Sequence, residues 1–439
     1  MNRRHDIIQV FVMAVLLMGC VSGRQIQRGL QQYEALTTLL EDSTLQHAHV
    51  GIMIVDAESQ QLLAAHNEHK YFVPASNTKL WTMYAGLKYL GDSLIAGYVA
   101  KSNDSVVHFR SHADPTFLHP DYKHQPLATV LQQYKQVNWY NAGMATTAYG
   151  NGWSWNDYDA TYMAPRSSMP MYGNVASFAL QANGNVQSNP ANVVGLVTNI
   201  DHFRDSGFSI HRLFDQPAFT LWPGKTKRTN TTLYMTPLST AQLASTHFGN
   251  DWYFEHSSVP ENLRWQKIYS QPTDSMMKPL MHRSDNFFAE QTLLMISQQW
   301  FGYMNEGDVI DSLLQTNLQT MPDKPRWVDG SGLSRYNLFT PADFIWLLQQ
   351  CRSEFSMARL QNILPTGNDG TLTNYYKPLE GKLFAKTGTL AGVVALSGYM
   401  TSKQGRLLLL SVQVNNHNGS AAAVRRAVEK YLLHVWEHN

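Results

Sequence analysis

The chain is poor in cysteine: only 2 occur among its 439 residues, Cys20 and Cys351. If Cys20 is taken up in processing of the N-terminus, as argued below, one thiol remains and no internal disulfide can form. The setting of Cys351, within FIWLLQQC, reads as structural and partly buried. An excess of either charge is also lacking. Lys and Arg number 34 against 33 Asp and Glu, a formal net charge of +1. No basic field for nucleic acid follows from that balance. The apolar run from Ile7 to Met18 is too short for a comfortable membrane span. Histidines are plentiful but scattered. His66, His69, His108, His112, His119 and His124 show no metal-ligand spacing, so no catalytic metal or other cofactor is expected. There is no phosphate-cradling glycine loop and no repeat of the solenoid or propeller kind.

What the chain does have is three short strings in a fixed order: Ser76-Asn77-Thr78-Lys79, Ser284-Asp285-Asn286 and Lys386-Thr387-Gly388. SxxK, SxN and KTG together mark enzymes that attack a peptide bond or a β-lactam with an activated serine. A serine hydroxyl is a poor nucleophile at neutral pH and needs a base beside it. The stretch Ser76 to Leu90 reads as a helix between Pro74 and Gly91. Residues three apart share a helix face, which places Lys79 one turn from Ser76. To act as base, Lys79 must lose its proton, as burial or a second cation would favour. In the second string Ser284 is either a cap or a proton relay, and Asn286 has a donor and an acceptor for Lys79 and a substrate amide. In the third, Lys386 supplies a fixed positive charge and Thr387 and Thr389 supply hydroxyls. Gly388 removes a side chain where a substrate backbone must approach. Such a group suits a terminal carboxylate. Each string alone is more often an ordinary cap, strand end or turn; the conjunction reverses that balance.

The chain resembles the D-alanyl-D-alanine carboxypeptidase/endopeptidase family, the low-molecular-mass class C, type-4 penicillin-binding proteins. Beyond the three strings, the likeness rests on DGSGLSRYN at Asp329–Asn337, NILPTGNDGTL at Asn362–Leu372, HADPTF at His112–Phe117, and GWSWND at Gly152–Asp157 followed by Ala164-Pro165. It is weak from Val175 to Gln271. The resemblance implies Ser76 as the acylated nucleophile and Lys79 as its base. Ser284 and Asn286 complete the proton relay and the amide contact. Lys386, Thr387 and Thr389 bind the substrate carboxylate, and the backbone N–H groups of Ser76 and Thr389 form an oxyanion hole. Arg335 and Asp157 match positions that contact the peptide stem, Asp157 suiting the amine of a diamino acid. Some relatives carry glutamine where this chain has Ala391, which puts fine substrate preference in doubt.

The resemblance also implies the fold: an α/β, β-lactamase/transpeptidase-like domain, an antiparallel sheet with flanking helices, carrying a large, mostly β inserted region. The expected division is 24–99 with 270–439 for the catalytic domain and 100–269 for the insert. Gly29 to Asp42 reads as an N-terminal helix, Val50–Val55 and Gln61–Ala65 as a strand pair, and Ala421–Trp436 as a closing helix. Trp153 and Trp155 either stack on sugars or anchor the insert, anchoring being the simpler reading. Residues 1–19 read as a secretory signal, and Leu17-Met18-Gly19-Cys20 resembles a bacterial lipoprotein cleavage box. Cys20 is then the lipidated first residue of a periplasmic protein held on a membrane; the alternative is an ordinary signal peptide and a soluble periplasmic protein. The expected partners are peptidoglycan stem peptides, with β-lactams as inhibitors. Two rival readings are a β-lactamase or esterase of the same superfamily, and a sensor that is acylated without turnover.

Overall fold

The computed structural model describes residues 33–439 apart from 141–142, 183, 192, 194–196, 199–206 and 256–261. The leader and Cys20 lie outside the described residues. So does the start of the N-terminal helix, which is seen over residues 33–40.

Both ends of the chain build one antiparallel sheet. Strands β1 (His49–Asp56) and β2 (Leu62–His66) come from the start, and β14 (Leu383–Leu390), β15 (Val393–Thr401) and β16 (Leu407–Asn415) from the end. Their order is β14-β15-β16-β1-β2. The middle strands read as near-continuous apolar runs because both sheet faces are covered. Leu408, Leu410, Val412 and Val414 face the first and last helices of the chain, whereas Leu409 and Val55 face the helical core. In register, β1 and β15 both pair with β16, so Val50 and Val394 flank Val414. Strand β14 lies at the sheet edge.

Helix α1 (Lys79–Tyr89) follows the first string and is buried from Lys79 to Leu87. Being buried on all sides, it carries Leu80, Trp81, Met83 and Tyr84 into the core. Each large side chain so placed contributes about 1.5–3 kcal/mol of burial. Trp81 stacks on Phe339 with ring centroids 5.1 Å apart.

The inserted region is mostly β. Its main sheet has the order β12-β5-β4-β3-β13, made by β3 (Ser93–Lys101), β4 (Val106–Ser111), β5 (Gln136–Tyr140), β12 (Asp251–Glu255) and β13 (Gln266–Pro272). Phe109, Trp139 and Trp252 sit in its core. Two three-stranded sheets follow in space. One orders β8 (Val197–Thr198), β10 (Phe219–Pro223) and β9 (Phe208–Arg212); the other orders β11 (Arg228–Thr232), β6 (Val175–Leu180) and β7 (Val186–Asn189). One longer helix interrupts the pattern, α2 (Pro237–Phe248). Thr236 caps it reciprocally with Ser239, Pro237 opens it, and Gly249 at φ 68° closes it. Because β3 and β13 pair with each other, this sheet begins at Ser93 and ends at Pro272.

On the core side lie α3 (Thr273–His282), α4 (Asn286–Phe301) and α5 (Pro341–Glu354), with two more helices over Glu306–Gln315 and Met357–Ile363; α6 (Ala421–His438) covers the opposite sheet face. Cys351 on α5 is fully buried, more than its sequence setting indicates, and burial pushes its thiol far up from the ordinary range. Among the described residues no helix is long and apolar enough to cross a membrane.

Candidate active site

The first string does not start as an α-helix. Ala75–Thr78 forms a 3-10 turn, and the α-helix begins at Lys79. Ala75 has φ 48°, a conformation unfavourable for a residue with a Cβ. Two glycines press against this turn. A Cβ on Gly332 would lie 1.9 Å from the Ala75 carbonyl oxygen, and one on Gly388 would lie 2.4 Å from that of Pro74. The nucleophile turn is therefore clamped between the Asp329–Asn337 segment and the edge strand β14. Asn77 adds a bond from its Nδ2 to the Lys386 carbonyl at 2.9 Å.

Lys79 is fully buried. Its Nζ lies 2.9 Å from Ser76 Oγ, 2.5 Å from Asn286 Oδ1 and 2.6 Å from the Ser331 carbonyl oxygen. Burial lowers its pKa from 10.5 to about 8, against the opposing pull of Asp329, Glu290 and Asp285. A neutral amine has two N–H donors and one lone pair. The two carbonyl oxygens accept only, so they take the two donors. The lone pair is left to face the Ser76 hydroxyl, the geometry a general base needs.

In the second string the capping and chemical roles are divided. Asp285 is the N-cap of α4, accepting from the Phe288 N–H at 3.0 Å. That frees Ser284, held at φ 60°, and Asn286 to face the cleft. Asn286 Nδ2 donates to the Tyr162 carbonyl at 2.7 Å. Ser284 Oγ lies 2.9 Å from Lys386 Nζ.

Along β14 the side chains alternate. Lys386 and Gly388 point to the nucleophile turn, and Thr387 and Thr389 to the other face. Lys386 is more enclosed than its sequence setting indicates. It is completely buried, and its Nζ donates to Ser284 Oγ and, at 2.7 Å, to the Thr387 carbonyl. Burial, then nearby Lys79 and Arg425, hold its pKa well below the usual lysine range.

The other expected residues lie around this centre. Arg335 is exposed and donates through both terminal nitrogens to the Ala391 carbonyl at 3.2 Å, across the turn after the third string. Asp157 lies on a short turn of the insert and hydrogen-bonds the Tyr162 hydroxyl. Through Tyr162 it is one residue removed from Asn286. Trp153 anchors the insert, donating to Asp329 at 2.8 Å and lying against Arg166. Trp155 stays 74 % exposed. A cavity of about 480 Å³ opens beside the second string, lined by His119, Asp121, Tyr162, Arg283, Ser284 and Asn286. Among the described residues no cluster of three or more His, Cys, Asp or Glu could hold a metal ion.

Three contributors were not found in the sequence. Glu290 accepts the Ser331 N–H at 2.7 Å, fixing the segment whose carbonyl meets Lys79. Arg166 donates to Glu290 from Nε and Nη2 at 2.9 and 2.7 Å, and to Glu306 from Nη1 at 2.6 Å. Arg425 on α6 donates to Thr389 Oγ1 at 2.5 Å. These residues are far apart in sequence and carry no local pattern. Helical spacing of Glu290 within an apolar run was the only available signal, a charge on a face that should be dry.

A nucleophile turn, a buried lysine, and Ser284 paired with Lys386 of the edge strand are the parts of a serine-type hydrolase. The chain belongs to the D-Ala-D-Ala carboxypeptidase 3 (S13) family, whose pattern matches residues 32–217 and 257–435. It is 22% identical over 415 residues to the D-alanyl-D-alanine carboxypeptidase DacB of Haemophilus influenzae, covering 84% of this chain and 86% of that protein. It is 39% identical over 119 residues to the D-alanyl-D-alanine carboxypeptidase of Actinomadura sp., covering 25% of this chain and 22% of that one. The crystal structure of penicillin-binding protein 4 (dacB) from Haemophilus influenzae has the same fold. It superposes with a TM-score of 0.73 at 19% identity, covering 92% of this chain and 99% of that chain.

Proposed function

We propose that this hydrolase removes or releases the terminal residue at D-Ala-D-Ala, or D-Ala-diamino acid, bonds of peptidoglycan stem peptides, through an acyl-enzyme at Ser76. The single observation that carries the reading is the contact of the buried Lys79 Nζ with Ser76 Oγ, beside the two carbonyl acceptors of Asn286 and Ser331. Ser76 Oγ attacks the scissile carbonyl and gives its proton to Lys79. The N–H groups of Ser76 and Thr389 receive the oxyanion. Ser284, held by Lys386, passes a proton to the leaving amine. Water then releases the acyl-enzyme. Asn286, Thr387, Thr389, Arg335 and Asp157 hold the substrate, and the cavity beside Ser284 gives room for a peptide stem. Penicillin acylates the same serine. A solved Haemophilus influenzae relative of the same fold is described in complex with a β-lactam, which supports this part. Cys20 carries a lipid that holds the enzyme on a bacterial membrane facing the periplasm.

The test is mass analysis of muropeptides incubated with the enzyme, beside labelling by a tagged penicillin. Pentapeptides should lose their last residue and the mature protein should gain one label. Ser76→Ala should abolish both, a loss on the order of 10³- to 10⁶-fold in kcat. Labelling that persists in Ser76→Ala refutes the nucleophile. Label without peptide turnover favours the sensor, and rapid penicillin hydrolysis without peptide turnover favours the β-lactamase. Cys20→Ser should move the protein out of the membrane fraction with its chemistry intact.

A further inference from the structure

We propose that Arg425, on the last helix, supplies the positive charge that holds the substrate's terminal carboxylate. The inference rests on the peptidase reading above. The expected ligands of that carboxylate, Thr387 and Thr389, are neutral hydroxyls. Lys386, the cation expected beside them, points the other way along the strand. It is buried, with its amine engaged by Ser284 and the Thr387 carbonyl. Burial, Lys79 and Arg425 together lower its affinity for a proton.

Arg425 has the complementary properties. A guanidinium stays charged in proteins and offers a planar fork of donors that matches a carboxylate. It is half-exposed on α6, and one Nη2 donates to Thr389 Oγ1 at 2.5 Å. That bond orients the fork but leaves its charge uncompensated. Among the described residues Arg425 makes no ion pair, although the adjacent Arg426 pairs with Glu429 at 2.5 Å. The Tyr375 ring, 5.7 Å from the guanidinium carbon, supports the same position from the side. An arginine with no ion pair among the described residues, bonded to the Thr389 hydroxyl near the end of the edge strand, is placed for an anion from solution. In this arrangement Lys386 serves the proton path and Arg425 serves recognition.

The experiment compares two substrates on the full chain: an acyl-L-lysyl-D-Ala-D-Ala peptide and the same peptide with its C-terminus amidated. The parent should prefer the free acid. Arg425→Ala should lower kcat/KM for the acid roughly 10- to 100-fold and leave the amide within about twofold. The loss should lie mainly in KM. Arg425→Lys, which keeps charge without the fork, should fall between. Lys386→Met should depress both substrates alike, because it acts on the proton path. An Arg425→Ala enzyme with a parental thermal midpoint that still prefers the acid, or that loses both substrates equally, overturns the assignment while the peptidase reading stands. A parent that cleaves neither peptide and takes no penicillin label overturns the peptidase reading, and this assignment with it.

Discussion

Trp153, in the insert, donates its indole N–H to the carboxylate of Asp329, in the catalytic half, at 2.8 Å. That carboxylate also accepts the N–H groups of Gly332 and Ser334 and the amide of Asn337. It thereby shapes the segment whose Ser331 carbonyl touches Lys79. The insert is thus wired to the base by two residues. Trp153→Phe should keep the ring and lose the bond. Acylation by penicillin should slow about threefold to tenfold, in line with one bond of about 1 kcal/mol. Stopped-flow acylation at unchanged thermal midpoint is the check; a parental rate would make Trp153 an anchor only.

The pH profile of acylation should follow Lys79. Its pKa in the fold is about 8, below the ordinary 10.5, because burial disfavours the charged form. Only the deprotonated amine can accept the Ser76 proton. Acylation should therefore rise with pH by about tenfold per unit and level off above about 8. Lys79→Arg stays protonated and should not acylate at any of these pH values. A profile flat from pH 6 to about 9 would remove Lys79 from the role of base.

Arg166 and Glu290 form a buried pair, 0% and 1% exposed. Removing one partner strands the other's charge. Arg166→Met should cost about 3–5 kcal/mol, read as a drop in denaturant midpoint. Arg166→Met combined with Glu290→Gln should recover part of that loss, while acylation stays slow because the Ser331 N–H has lost its carboxylate. If the double variant were no more stable than the single one, the pair would not be the origin of the cost.

Asp157 should govern which peptide is used and not whether a bond is cut. It is linked through Tyr162 to Asn286, close to the second string. Asp157→Asn should lower kcat/KM about fivefold for stem peptides with a free side-chain amine, the scale of an exposed charge pair. Penicillin lacks that amine, so its acylation should be unchanged. Equal losses on both substrates would make Asp157 structural.

What was legible in the sequence was whatever chemistry ties to a spacing. Ser76 and Lys79 had to be three apart, and the third string needed a glycine, Gly388, where a substrate backbone approaches. The last sheet strand was legible because Leu407–Val414 is largely apolar, broken only by Ser411 and Gln413, the mark of burial on both faces. Helix α2 carried its start and stop signals at Thr236, Pro237 and Gly249, yet was lost among strand-like neighbours. The 3-10 turn at Ala75 was not legible at all. Its backbone is imposed by Gly332 and Gly388, which are brought to it only by the tertiary fold. Arg425 reads locally as a solvated helix residue. Only the sheet's closure places α6 over Thr389. The burial of Lys386 was not legible either, since it is a property of the assembled cleft.

Strand β14 ends the sheet, and an unpaired edge invites another chain to add itself. Here the edge is nearly used up. Pro365 accepts from the Ala385 N–H, Gly367 donates to Leu383, and the Asn77 side chain takes the Lys386 carbonyl. Among the described residues nothing outside the sheet pairs with the backbone of Gly388 or Thr389. An incoming strand would find docking space only a few residues long, directly beside Ser76. A folded protein's strand cannot register there, whereas the short extended tail of a peptide can. The closure that guards the edge against aggregation thus leaves a gap sized for a short extended peptide.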